Sequence, residues 1–354
     1  MSDQPRLNAG RGTEARSWRE QLAPFALPDS RRAALSFATS VLPYLGLSAA
    51  IYVLLGRSPL ALVLVVPAAV FLVRSFIVFH DCSHGSFLPS RRANLWLGRA
   101  IGLLLYSPFH RWRHDHAVHH ANAGNLDERG TGDLHTLTVA EYEALGPKGR
   151  LGYRLVRNPL VMFGLGPIVA MIIGPRIVAK NARPRMRRSV IATDAALAVI
   201  VGLLVWLIGW RDYLLVLGLP ALLAGSIGIW LFYVQHQFED AYWDDAGNWS
   251  FTDSALRGSS YLRLPGLLRF CTGNIGYHHI HHLNAQVPSY NLKRAHDSTP
   301  AFHDVPTLSL IDGLRATRLK LYDERRRRLV SFREARVGAG LSRPAEPEVS
   351  PSSA

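Results

Sequence analysis

The sequence predicts an all-α integral membrane fold. It has four transmembrane helices in two hairpins, two further helical segments that are interfacial or re-entrant, and a helical cap on the cytoplasmic side. Three observations predict it. The chain of 354 residues is 48% hydrophobic with a mean hydropathy of +0.07, too apolar for a soluble domain of that length. Four stretches reach the roughly 20 apolar residues that a bilayer crossing needs. Lys and Arg outnumber Asp and Glu by 40 to 26, and the excess is clustered as in cytoplasmic loops.

The first two stretches, residues 34–55 and 60–79, are separated only by Gly56, Arg57, Ser58 and Pro59, so they form a hairpin. Residues 190–209 and 213–234 form a second one around Trp210, Arg211 and Asp212. Residues 95–106 are also apolar, but they are too few to cross and include Arg99. Residues 159–174 are interrupted by Gly164, Gly166 and Pro167. Such segments lie at the interface or re-enter rather than cross. Six basic residues, Arg176, Lys180, Arg183, Arg185, Arg187 and Arg188, place the loop before the third span in the cytoplasm. Both termini then face the cytoplasm. The domain plan is an N-terminal tail over 1–33, largely disordered; a membrane domain over 34–335; and a Pro/Ser-rich disordered tail over 336–354. The first 30 residues lack an apolar core, so no secretory leader is read there.

Composition also excludes classes. No zinc finger, RNA-binding sheet motif or basic heptad region accompanies the positive charge, so no nucleic-acid partner is expected. The two cysteines, Cys82 and Cys271, form no CxxC, so neither a disulfide framework nor a thiolate metal site is expected. No GxGxxG or P-loop appears, so electrons for any redox chemistry must come from a separate carrier.

Histidine is the unusual residue: all 15 lie between His80 and His303. His80 and His84 sit at i,i+4 at the inner end of the second span. On a helix they share one face, their Cβ atoms about 6 Å apart, and can grip one metal. His116 and His120 repeat that pair, with His119 pointing about 100° away toward a second metal. His278 and His282 make a third pair with His281 offset in the same manner. His236 falls at the inner end of the fourth span. On the four-span path all nine emerge on one side, which suits two ions with four or five ligands each. Imidazole serves Fe, Zn, Cu and Ni alike, so ligand type does not name the metal. Asp81, Asp115, Glu239 and Asp240 are candidates to orient ligand rings, and His279, like His110 and His114, is a candidate hydrogen-bonding neighbour. His135, His296 and His303 are read as structural. Arg74, inside the second span, either snorkels to the headgroups or pairs with a carboxylate.

HxxxH, HxxHH and HxxHH, each after apolar spans, resemble the three histidine boxes of the membrane fatty acid desaturase family. His119 to Asp133 with Thr136-Leu137-Thr138, and Phe232 to Trp243, are similar to bacterial acyl-lipid desaturases, nearest to the branch with delta-12 (omega-6) and some delta-5 enzymes. The resemblance covers roughly residues 35–310. It implies that the nine histidines hold two iron ions, with His236 as the additional ligand between boxes, and that O2 is the co-substrate. It also implies insertion of a cis double bond into an acyl chain of a membrane lipid. Lipid, carotenoid or alkane hydroxylation or ketolation on the same scaffold is the alternative. The expected location is the bacterial inner membrane. The expected donor is a separate ferredoxin with its reductase, drawn to the basic cytoplasmic face. In some animal stearoyl desaturases an Asn stands one turn before the additional histidine; here that position is Phe232. An apolar tunnel for the acyl chain is expected near Phe76–Phe79.

Overall fold

The computed structural model describes residues 16–178 and 182–341. The first span begins where Asp29 caps it: its carboxylate accepts from the backbone N–H of Arg31 and Arg32 at 2.8 and 3.0 Å. The helix then runs Ser30–Leu55. After Gly56 a short 3₁₀ stretch, Pro59–Leu64, turns into the second span, Val65–His84. That helix stops at Gly85, whose φ of +74° is open to glycine at no steric cost. The third span, Pro184–Ile208, ends at Gly209, φ +80°. The fourth runs Trp210–His236 through a π-helical turn at Leu214–Gly218. These are the four helices among the described residues long and apolar enough to cross a membrane. The chain is a membrane protein.

The spans outrun the apolar stretches that announce them. The second continues five residues past Phe79 and the fourth two residues past Val234. Their last turns carry His80 and His236, buried against the cap, and the part-buried His84. Hydropathy sees a boundary where the backbone has none.

The second span is central. Leu72, Ile77 and Phe79 pack with Tyr44 and Ile51 of the first span and with Leu231 and Val234 of the fourth in one buried cluster. The third span is the least buried of the four, with Val190 and Leu197 its only fully buried residues. The two other apolar stretches form Arg91–Leu104, capped by Ser90, and Pro159–Gly164 followed by a π-helical turn at Ile168–Ile173. Neither is long enough to cross.

The cap is built from short helices, chiefly Phe109–Asn122, Phe251–Leu256, His278–Leu283 and Ser289–Asp297. Two minimal sheets interrupt the helical pattern. β1 (Tyr261–Leu262) pairs in parallel with β2 (Thr307–Leu308), and β3 (Leu321–Asp323) pairs antiparallel with β4 (Arg328–Val330). Strands of two or three residues are too short to leave an alternating pattern in the sequence. The order also begins earlier than residue 34. Residues 16–22 are helical, Leu22 is fully buried, and Trp18 stacks on Phe302 at 5.5 Å. Trp18, Leu22 and Phe25 recur at helical spacing and dock one face on the cap. At the other end, the helix Phe332–Leu341 crosses the expected boundary at 336. The remainder of both expected tails, residues 1–15 and 342–354, and Lys180 lie outside the described residues.

Tyr233 of the fourth span ties the C-terminal segment down, donating its hydroxyl to the carbonyl of Leu319. Two cations lie against its ring: the Arg157 guanidinium 5.2 Å and the Lys320 amine 5.4 Å from the centroid. Arg157 donates to Gln237 at 3.0 Å, but the Lys320 Nζ has no hydrogen-bond partner among the described residues. Burial, and then the neighbouring Arg157, push that amine down to about 7. The folded state therefore binds fewer protons than the unfolded one, where lysine titrates near about 10.4. The cost of burial is full below about pH 7 and vanishes above about pH 10. Lys320→Met is expected to raise the thermal midpoint by a few degrees, most at pH 7 and below, with the gain shrinking as pH rises. Thermal unfolding followed by intrinsic fluorescence at pH 6.5 and 9.5 checks it. A lower midpoint for the variant at pH 6.5 would mean that the amine contributes a favourable interaction.

Candidate metal centre

Nine histidines, all with ring nitrogens facing inward, converge where the second and fourth spans meet the cap. They fall into two groups. His80, His84, His116, His120 and His281 form one; His119, His236, His278 and His282 form the other. Within each, the candidate ligand atoms all lie within 4.8 Å of one another. Helix periodicity explains the split. His116 and His120 share a face of the helix Phe109–Asn122 and enter the first group, while His119 turns to the second. The helix His278–Leu283 reverses the assignment: the pair His278 and His282 enters the second group, and the offset His281 crosses to the first. The two groups abut, with the His120 and His282 rings stacked at 4.2 Å.

The donor atoms fit metal ions. In the second group the Nε2 atoms form a closed ring. His119 lies 3.1 Å from His236 and 3.2 Å from His282, and these lie 2.9 and 3.1 Å from His278. In the first, the His116 Nε2 is 3.0 Å from His80 and 3.1 Å from His120. Two imidazole lone pairs repel at such distances, and a cation between them reverses the sign. A metal about 2.1 Å from two nitrogens at right angles holds them about 3.0 Å apart. The buried Nε2 atoms of His84 and His281 have no hydrogen-bond partner among the described residues. Burial first, and then the neighbouring histidines, hold His116, His120, His278, His281 and His282 well below the usual imidazole range. Their rings are neutral, with lone pairs free to bind a cation.

Several rings are oriented from behind. The His80 Nδ1 meets the Asp81 carboxylate at 3.1 Å, and the other oxygen of Asp81 accepts from the backbone N–H of Ser289 at 2.7 Å. The His236 Nδ1 faces the Gly258 carbonyl at 3.3 Å. These contacts fix the proton on Nδ1 and free Nε2 for a metal.

One orienting residue was not singled out from the sequence. Asp133 Oδ1 lies 3.3 Å from the His119 Nδ1. Burial, the largest single influence, would raise the Asp133 carboxyl, but His119, His236 and the Leu134 backbone N–H together hold the group below the ordinary value. Asp133 is delivered by an ordered loop. Arg129 donates to the carbonyls of Leu126 and Thr136 and to Glu141, while Thr138 and Glu141 cap each other's helix end. The signal was present in Gly130-Thr131-Gly132-Asp133, whose glycines both take positive φ.

The structure does not bring five other candidates to the nine histidines. Asp115 precedes His116 by one residue, so it points off the ligand face and pairs with Arg111 at 2.7 Å. The fourth span ends at His236 and the chain turns outward, leaving Glu239 exposed against Arg328 at 2.6 Å and Asp240 exposed. His279 is buried on the far side of its helix, 3.4 Å from His296 and against Phe302. His110 meets Arg99 at 3.0 Å. Phe232 closes the second group with an apolar wall, its ring 4.9 Å from His119 and 5.3 Å from His236.

Two histidine groups at the ends of apolar spans are accompanied by matching relatives. The sequence profile named "Fatty acid desaturase" matches residues 15–307. The chain belongs to the fatty acid desaturase family. A "Fatty acid desaturase" of Bacillus subtilis is 44% identical over 315 residues, 89% of this chain and 90% of that one. An "sn-1 acyl-lipid omega-3 desaturase (ferredoxin)" of Synechocystis sp. is 31% identical over 232 residues, 62% of each chain. An "sn-1 oleoyl-lipid 12-desaturase" of the same organism is 28% identical over 236 residues, 64% of each. As a fatty acid desaturase the chain is an enzyme of lipid metabolism with a metal site. Hydroxylation on the same scaffold is not favoured.

Proposed function

We propose that this desaturase inserts a cis double bond into an acyl chain of a membrane glycerolipid, with O2 as co-substrate, at two iron ions held by the nine histidines. The observation that carries the reading is the division of those nine into one group of five and one of four, at the mouth of apolar spans. An alkyl C–H bond offers no acidic proton and no electrophilic carbon, so side chains alone have no purchase on it. Among imidazole-compatible metals, the reaction calls for a redox-active one, which sets zinc aside. When bound, the irons supply the oxidising power that takes one hydrogen from each of two neighbouring carbons.

The protein supplies position and dryness. Phe76, Phe79, Phe109 and Trp112 interlock beside the first group, with Trp112 stacked on His116 at 4.4 Å and on edge to Phe76 at 5.5 Å. This aromatic wall is the proposed end of the acyl tunnel: it keeps water from the metal site and sets the carbon presented to it. Asp81, Asp133 and the Gly258 carbonyl hold the rings against rotation. The basic loop before the third span supports a cytoplasmic location for the site and both termini, in a bacterial inner membrane. Exposed Arg185, Arg187 and Arg188 support docking of an acidic ferredoxin, the donor named for the Synechocystis omega-3 relative.

Lipid profiling tests the reading. Cells expressing the chain with ferredoxin and its reductase are expected to accumulate a new unsaturated acyl species, absent from a His116→Ala, His120→Ala control. Gas chromatography–mass spectrometry of derivatised acyl chains locates the double bond. Hydroxylated acyl chains without any new unsaturation would sink the proposal.

A further inference from the structure

On the histidine side of the membrane domain, a cavity of about 440 Å³ opens between the first two spans and the cap. Five cations line it, Arg32, Arg74, Arg269, Lys293 and Arg294, against a single carboxylate, Asp297. That carboxylate pairs with Lys293 one helical turn away. Among the described residues no ion pair joins the other four to any carboxylate. Their partners are neutral. Arg32 donates to Asn291 at 2.8 Å, and Arg294 lies over the Phe25 ring at 5.3 Å. Arg74 donates to Thr39 at 3.1 Å, to Ser40 at 3.2 Å and to the carbonyl of Phe270. It is 8% exposed and sits inside a span, six residues before His80. The carboxylate-pairing reading of Arg74 therefore gives way: it is held by neutral acceptors at the wall of a cationic cavity.

A cluster of five cations beside a single carboxylate is a site that attracts an anion, and Arg74 is the one of them that is buried. The rim says which anion. The short helix Gly266–Cys271, which carries Arg269, turns Leu267 (74% exposed) and Phe270 (43%) outward. Leu27 and Leu35, near Arg32 in the chain at the start of the first span, are 69% and 66% exposed. An exposed Phe270 in the wall of a cationic pocket at a span's end, with further exposed apolar side chains on the neighbouring elements, matches a ligand with a phosphate and alkyl chains rather than a soluble anion.

We propose that this cavity binds the phosphate of an anionic glycerophospholipid, with the acyl chains lying along the apolar rim. Arg269 and Arg294, at the open side, complete the phosphate's shell, and Arg74 closes it from within the membrane. The claim concerns binding and stands apart from turnover.

Titration of the purified full-length protein in uncharged detergent tests it. The three probes are dioctanoyl phosphatidylglycerol, dioctanoylglycerol and inorganic phosphate. The phospholipid is expected to bind at least about tenfold tighter than dioctanoylglycerol, whose chains are the same. Arg269→Gln combined with Arg294→Gln is expected to bring that preference below about threefold, with thermal midpoint and metal content retained. Arg294→Glu alone, which leaves the buried Arg74 in place, is expected to weaken the phospholipid in the same direction. Equal binding of the phospholipid and dioctanoylglycerol overturns the proposal, as does an undiminished preference in the double variant. Inorganic phosphate binding as tightly as the phospholipid reassigns the cavity to a free anion.

Discussion

His281→Ala and His282→Ala, neighbours in the chain, are each expected to lower bound metal from two ions to about one per chain, and to remove different ions. His281 lies with His80, His84, His116 and His120; His282 lies with His119, His236 and His278. Each substitution leaves the remaining imidazoles in place, so the other group keeps its donors. Desaturated product is expected to fall by more than about a hundredfold in both, since loss of a ligand exceeds loss of a group that only orients one. Paired substitutions separate the groups. His281→Ala with His84→Ala removes two donors from one group, and about one ion per chain should remain. His281→Ala with His282→Ala removes one donor from each, and metal should fall toward zero. Elemental analysis by inductively coupled plasma mass spectrometry reads all four proteins. If the 281/84 pair loses both ions while the 281/282 pair keeps one, the partition is wrong.

Asp133→Asn is expected to weaken metal binding by about 10- to 100-fold, and product formation with it, although residue 133 belongs to neither group of candidate ligands. The carboxylate lies 3.3 Å from the His119 Nδ1, and replacing it with a neutral amide removes the charge that fixes the ring proton on that side. Gly132→Ala is expected to act through the same residue. Gly132 has φ +72°, and an added Cβ would stand 2.4 Å from the Asp115 carbonyl oxygen. The loop must shift, and Asp133 shifts with it. Asp115→Asn is the control, because among the described residues the Asp115 carboxylate pairs with Arg111 and not with a histidine of either group. Competition with a metal chelator measures the affinities. Equal chelator sensitivity of Asp133→Asn and Asp115→Asn would end the assignment.

The sequence by itself determined the spans, the one-sided convergence of the histidines and their i,i+3 and i,i+4 faces. These are properties of neighbours along the chain: apolar length for the bilayer, helical phase for the ligands. It also supplied Asp81, which reaches a ligand one residue away. Only the tertiary structure decided which group each histidine joins. That depends on how the helices Phe109–Asn122 and His278–Leu283 meet, so that a pair from one joins a single residue from the other. It decided equally that Glu239 and Asp240 turn outward just after His236, because the fourth helix ends there. It brought Asp133 back to His119 through a glycine-bearing loop whose conformation helical phase does not describe. The cationic cavity joins Arg32, Arg74, Arg269 and Arg294, drawn from both ends of the chain, and no local pattern in the chain could have placed them together.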